Sequence, residues 1–189
     1  MRVLCFGDSN TYGYDPRSYF GGRYDADSRW VDLLASQTGW EVLNAGENGR
    51  EIPRSDREVQ SFLRTLSSVQ PIDLLIIMLG SNDLLQGSSA VSTASSMKQF
   101  LQQIPMKNQQ IFLIAPPPMK IGAWVTEERL LHDSVQLTEA YRQLASENKY
   151  RFAAASTWGI AETFDGVHFS EVGHRTFAEK LCQFVKKDS

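Results

Sequence analysis

Ser9 stands in the segment Phe6-Gly7-Asp8-Ser9-Asn10-Thr11-Tyr12-Gly13, directly after the short apolar run 3–6. A hydroxyl at the end of a first strand could attack a carbonyl. It is a poor nucleophile at neutral pH, however, and needs a base within hydrogen-bond reach and an acid to orient that base. The same residues also suit an ordinary turn or helix cap. Three histidines are available as bases. His132 and His174 fall inside amphipathic helical patterns, where a solvated or packed helix residue is the simpler reading. His168 differs, because in Asp165-Gly166-Val167-His168 it lies in a loop before a helix cap with a carboxylate three residues ahead. One tight turn there lets Asp165 hold one ring nitrogen while the other faces Ser9, although Asp-Gly is also a plain turn dipeptide.

Acyl transfer through a serine also needs fixed donors for the oxyanion, preferably backbone N–H groups and a neutral amide. Asn82, in Gly80-Ser81-Asn82-Asp83, can supply the amide. Ser9 and Gly49 can supply N–H groups, Gly49 from the loop Ala45-Gly46-Glu47-Asn48-Gly49-Arg50, whose two glycines allow close approach to a ligand. Taken singly, Asn82-Asp83 reads equally well as an Asx-turn and the Gly46 loop as a routine connection.

These residues need elements to bring them together. Short segments at 3–6, 41–44, 72–79, 111–115 and 150–153 read as strands, the third so nearly unbroken in its apolar character that it must be covered on both faces. Between them lie helical patterns: one from Ser28, which can cap it, to Gln37; one capped by Ser55 or Asp56 with Val59, Phe62, Leu63, Leu66 and Val69 on one face; one along Ala90, Ala94, Met97, Leu101 and Ile104; and one along Leu130, Leu137, Tyr141 and Leu144. Ser170 caps a terminal helix that carries Phe177, Leu181, Phe184 and Val185. Residues 16–27 and the stretch from Pro116 to Val125 read as loops. Alternating strand and helix implies an α/β fold, a three-layer α/β/α sandwich around a mainly parallel five-stranded sheet. All the candidate residues then lie in loops at the carboxyl edge of that sheet, where such folds bind ligands.

At 189 residues the chain is expected to form a single domain over residues 1–189. A net charge of −3 gives no reason to expect nucleic acid, and no apolar run is long enough to cross a membrane, so a cytoplasmic protein is expected. The two cysteines, Cys5 and Cys182, read as buried thiols.

The blocks Gly7-Asp8-Ser9-Asn10, Asn44-Ala45-Gly46-Glu47-Asn48-Gly49, Gly80-Ser81-Asn82-Asp83 and Asp165-Gly166-Val167-His168 together resemble the four conserved blocks of the SGNH, or GDSL-type, hydrolases. The resemblance spans residues 3–175, and the stretches around Ser9, Ser28-Arg29-Trp30 and Asn82 are most similar to the arylesterase and acyltransferase branch. It implies a flavodoxin-like SGNH hydrolase fold and a cofactor-independent serine esterase. In that resemblance Ser9 is the nucleophile, His168 the base, Asp165 the orienting acid, and Ser9 N–H, Gly49 N–H and the Asn82 amide are the oxyanion donors. Of Gly46 and Gly49 the family pattern favours the later. Asn10 replaces the leucine of the GDSL name, a change expected to leave the chemistry untouched.

Tyr12, Tyr14, Trp30 and Trp124, with Met119, Ile121 and Val125, are expected to wall a small apolar pocket, although core packing is an equally good reading of these side chains. A short, acetyl-like acyl group on a small-molecule ester is the expected substrate, with acyl transfer to alcohols as a possible side activity, and apolar rim loops make a homo-oligomer plausible. Two other readings stand beside this one. A nucleotide- or flavin-binding module would use the loop from Gly7 to Gly13 but leaves Asp165 and His168 without a role. A metal-dependent hydrolase would need a better ligand set than His132, His168 and His174.

Overall fold

The computed structural model describes residues 1–18, 20 and 22–187, so Tyr19 and Gly21 of the loop expected over residues 16–27 lie outside the described residues. Five strands, β1 (Arg2–Gly7), β2 (Glu41–Gly46), β3 (Leu74–Met78), β4 (Ile111–Ala115) and β5 (Arg151–Ala154), form a sheet in the order β2-β1-β3-β4-β5. Every pair is parallel.

Side chains alternate between faces along a strand, and both faces are covered. Leu4, Phe6, Leu75, Ile77, Ile111 and Leu113 enter one core, together with residues of α3 (Asp56–Ser68), α5 (Ala90–Leu101) and α6 (Glu128–Asn148). Val3, Cys5, Leu74, Ile76, Phe112 and Ile114 enter the other, under α2 (Trp30–Thr38) and α7 (Glu171–Lys187). This double burial is why the central strands show no polar alternation. Two short helices, α1 (Ser9–Tyr12) and α4 (Ser81–Leu85), begin at the carboxyl ends of β1 and β3.

The caps follow the sequence with one exception. Ser55 forms a capping box with Glu58, and the Ser170 hydroxyl accepts the Gly173 N–H at 3.1 Å. Ser28 does not cap α2. The Asp25 carbonyl accepts the N–H groups of both Ser28 and Arg29, so a turn precedes the helix and moves Arg29 into the cap position. The Ser28 hydroxyl is engaged with Asp27 and Arg175.

His174, near the start of α7, is fully buried, its Nδ1 3.4 Å from the Trp30 N–H and its ring against Tyr24 and Phe169. Burial, helped by the positive charges of His168 and Arg29, lowers its pKa from the ordinary 6.5 to about 3. Between those values the folded protein takes up fewer protons at His174 than the unfolded chain does. The stability of the neutral, buried ring is therefore complete above about pH 6.5 and drains away as the pH falls toward 3. His174→Gln removes the titration. Urea unfolding at about pH 7 and about pH 4 should show the difference between wild type and variant moving in the variant's favour, by up to about 1.4 kcal/mol per pH unit. A difference independent of pH would contradict this.

Candidate active site

At the end of β1 the chain turns at Asp8 into α1. The Asp8 carboxylate accepts the Asn10 N–H at 2.9 Å, and its carbonyl accepts Thr11 and Tyr12. Ser9 is the first residue of the helix, so its N–H has no partner within the helix and points outward from the helix start. Burial raises the Asp8 pKa to about 6, against the lowering effects of the Asn10 N–H and of charge on His168.

Asp165 is fully buried and has three donors around it. Its Oδ1 accepts the Val167 and His168 N–H groups, both at 2.9 Å, and its Oδ2 lies 2.8 Å from His168 Nδ1. Burial pushes this carboxyl up, but the hydrogen bonds from the His168 ring and from the two backbone N–H groups outweigh it and bring the pKa down to about 2. An ionised carboxylate only accepts hydrogen bonds, so the imidazole proton belongs on Nδ1. His168 Nε2 is then left as an acceptor, 3.0 Å from Ser9 Oγ. The loop is held from outside as well: Lys120 N–H donates to Gly166 O, Ala123 N–H to Phe164 O and Trp124 N–H to Asp165 O.

The two glycines of the second loop have different surroundings. Gly46 ends β2, and its N–H donates to Asn44 Oδ1 at 2.8 Å. A Cβ there would lie 2.2 Å from the backbone nitrogen of Tyr12, so only glycine lets α1 rest on the strand. Gly49 has φ 73° in the turn closed by Arg50 N–H to Glu47 O, the position a type II turn reserves for glycine. Its own N–H is outside that turn's hydrogen bond. Asn82 Nδ2 donates to Arg50 O at 3.0 Å, which brings the amide beside this turn and uses one of its two hydrogens.

The four aromatic candidates separate. Tyr14 and Trp124 each place a ring centroid 4.9 Å from that of His168. Tyr12 has the Arg23 guanidinium 4.5 Å above its ring. Trp30 cannot line a pocket: it is 1% exposed, packed against Phe177, and donates its indole N–H to Asn10 O at 2.9 Å. Its place at the start of α2 turns it inward beneath the Ser9 turn. Met119 and Val125 are also buried in the core, whereas Ile121 is exposed.

Sequence reading missed the side chains that tie the loops together. Asn44 Nδ2 donates to Thr11 O at 2.8 Å. Arg50 donates to Gly7 O (2.8 Å) and Ala45 O, pairs with Glu47, and lies 4.2 Å from the centroid of the Phe6 ring. Buried Asp83 pairs with Arg54 and accepts the Ile52 N–H, fastening the segment after the Gly49 turn to α4. Asn10 reaches both sides of His168, donating to Val167 O (3.0 Å) and accepting from Phe169 N–H (2.8 Å). An asparagine just before a small-residue loop, as at Asn44, and a charged residue just after it, as at Arg50, are the only local signals that could have flagged two of them. Among the described residues, no group of three or more His, Cys, Asp or Glu side chains could hold a metal ion.

Beside the Gly49 turn lies a groove of about 610 Å³ whose lining includes Asn48, Arg50, Ser55, Arg57 and Glu58.

Among solved structures, the aryl esterase of M. smegmatis is 27% identical with a TM-score of 0.83, covering 98% of each chain. A carbohydrate acetylesterase family member from Sinorhizobium meliloti is 26% identical with a TM-score of 0.83, over 99% of this chain and 98% of that one. Est24, a carbohydrate acetylesterase from the same organism, shares the fold at 24% identity and a TM-score of 0.86, over the whole of both chains. No curated protein matches the chain by sequence. The model of the GDSL-like lipase/acylhydrolase family matches residues 5–176. With that match over most of its length, the chain belongs to the GDSL-like lipase/acylhydrolase family and is a carboxylic ester hydrolase.

Proposed function

We propose that the protein is a serine esterase that takes short, acetyl-like acyl groups and works through an acyl-enzyme on Ser9. The observation that carries the reading is the unbroken chain from Asp165 Oδ2 through His168 to Ser9 Oγ, with steps of 2.8 and 3.0 Å.

In this reading Ser9 Oγ attacks the ester carbonyl carbon and gives its proton to His168 Nε2. The oxyanion is met by the Ser9 N–H, the Gly49 N–H and the remaining Asn82 amide hydrogen. The C–O bond to the alcohol breaks, and the alkoxide leaves with the proton from Nε2. Water then attacks the acyl carbon with His168 again as base, releasing the carboxylic acid and restoring Ser9. An alcohol in place of that water gives acyl transfer. With a pKa of about 2, Asp165 remains ionised throughout and steadies the imidazolium.

Short acyl groups fit the surroundings of the pair. Met119 and Val125 are built into the core and leave the Pro116 loop to present few apolar side chains, and among the described residues the rings that pack against His168 are those of Tyr14 and Trp124. The polar groove next to Gly49 suits a hydroxyl-bearing alcohol portion, in keeping with the carbohydrate acetylesterase among the structural relatives. No described helix is long and apolar enough to cross a membrane.

Kinetics with a short-chain aryl ester test the assignment. Ser9→Ala should abolish turnover while keeping the melting temperature. Asp165→Asn should lower kcat by about 10²- to 10⁴-fold and less than His168→Ala does, since orientation is lost before the base is. Asn82→Ala should cost about 10²- to 10³-fold in kcat. Turnover retained in Ser9→Ala would overturn the reading. Across a series of linear acyl esters, kcat/KM should be greatest for acetyl or propionyl; a maximum at long chains would refute the short-acyl preference.

A further inference from the structure

Ser9 and His168 lie 159 residues apart, and the hydrogen bond between them depends on how the α1 turn and the loop carrying Asp165 and His168 are registered. Asn10 links the two directly. Its Nδ2 donates to Val167 O at 3.0 Å and its Oδ1 accepts the Phe169 N–H at 2.8 Å, so the amide grips the backbone on both sides of His168. A carbonyl can only accept and an N–H only donate, which leaves the amide a single orientation. Asn10 is itself held at its other ends. Its N–H goes to Asp8 Oδ1, and its carbonyl accepts the Trp30 indole N–H at 2.9 Å. The capping of α1 is done by Asp8, so the Asn10 side chain has no duty within the helix. All the groups involved are buried: Asn10 is 4% exposed, and Val167 and Phe169 are buried with it.

We propose that Asn10 is a positioning residue for the Ser9–His168 pair, its amide acting as a two-point bridge that sets the approach of Nε2 to Oγ. The leucine that gives the GDSL pattern its name offers neither hydrogen bond. In this chain it would leave Val167 O and Phe169 N–H unpaired in the interior, and the base loop would be registered against the nucleophile by packing alone. The orientation of His168 relative to Asp165 survives such a change, because those contacts lie within one loop. The distance to Ser9 does not, and misplacement of a reacting group by about 1 Å can cost 10²-fold.

This inference rests on Ser9 as nucleophile and His168 as base, and labelling with a fluorophosphonate separates the two claims. Wild type should label stoichiometrically and Ser9→Ala not at all; failure here sinks the functional reading itself. Asn10→Leu should label to full stoichiometry but about 10- to 100-fold more slowly, with kcat for a short aryl ester falling in step and KM within about threefold of wild type. The acid limb of its pH–rate profile should stay where wild type has it, because Asp165 still holds the imidazole. A labelling rate per folded molecule equal to wild type, whatever the folded fraction, would show a merely structural role and overturn the proposal. If Asn10→Leu does not fold, Asn10→Asp gives the same readout. It keeps the shape and the acceptor for Phe169 N–H but removes the donor to Val167 O, so slower labelling supports the bridge and an unchanged rate overturns it.

Discussion

An ionised carboxylate inside a protein is tolerable only when its oxygens are met by donors, and the arrangement around Asp165 follows from that constraint. Removing the charge from water costs several kcal/mol. Hydrogen bonds to charged groups contribute about 1.5–3 kcal/mol each, and Asp165 receives three. Two come from backbone N–H groups of the very loop that carries His168, so satisfying the acid shapes the loop. The ring is then fixed by the third. Trp124 N–H and Lys120 N–H add hydrogen bonds to the same loop from the stretch after β4, which puts the Trp124 ring against the imidazole.

Asp8 shows what happens when that constraint is met less fully. It is as buried as Asp165, yet its side chain accepts one backbone N–H where Asp165 accepts two backbone groups and a ring. Burial therefore dominates, and its pKa rises to about 6 while that of Asp165 falls to about 2. Two carboxylates at one sheet edge are thus driven apart by the donors around them. Asp165 keeps its charge at a pH well below that at which Asp8 gives its charge up.

The fold was legible because double burial writes an unambiguous pattern: the run containing Leu74 to Met78 has no polar residue to expose, and Val59, Phe62 and Leu66 recur at helical spacing. The Asp165 and His168 pair was legible for a related reason, since a turn three residues long is a local event. What escaped were contacts with no period and no fixed offset. Asn10 reaches Val167 over 157 positions and Asn44 reaches Thr11 over 33, and neither distance leaves a mark in the chain. In sequence Asn10 reads as a replacement for leucine that leaves the chemistry untouched, because a turn residue's side-chain partners are set by a loop that folds onto it from elsewhere. Trp30 departs from expectation on the same account: a large aromatic expected beside Ser9 lies beneath it in space, because the turn before α2 rotates it into the core between Asn10 and Phe177. Ser28 lost its cap to that turn as well.

The central claim is that Ser9 carries the acyl group. The most direct measurement is the site at which a phosphonate ester, a stable mimic of the tetrahedral intermediate, becomes attached, mapped by peptide mass while residual esterase activity is followed. The account predicts one phosphonyl group per chain on the peptide containing Ser9, with activity lost in proportion to attachment. Activity that survives full modification of Ser9, or is lost through attachment at another residue, would contradict it.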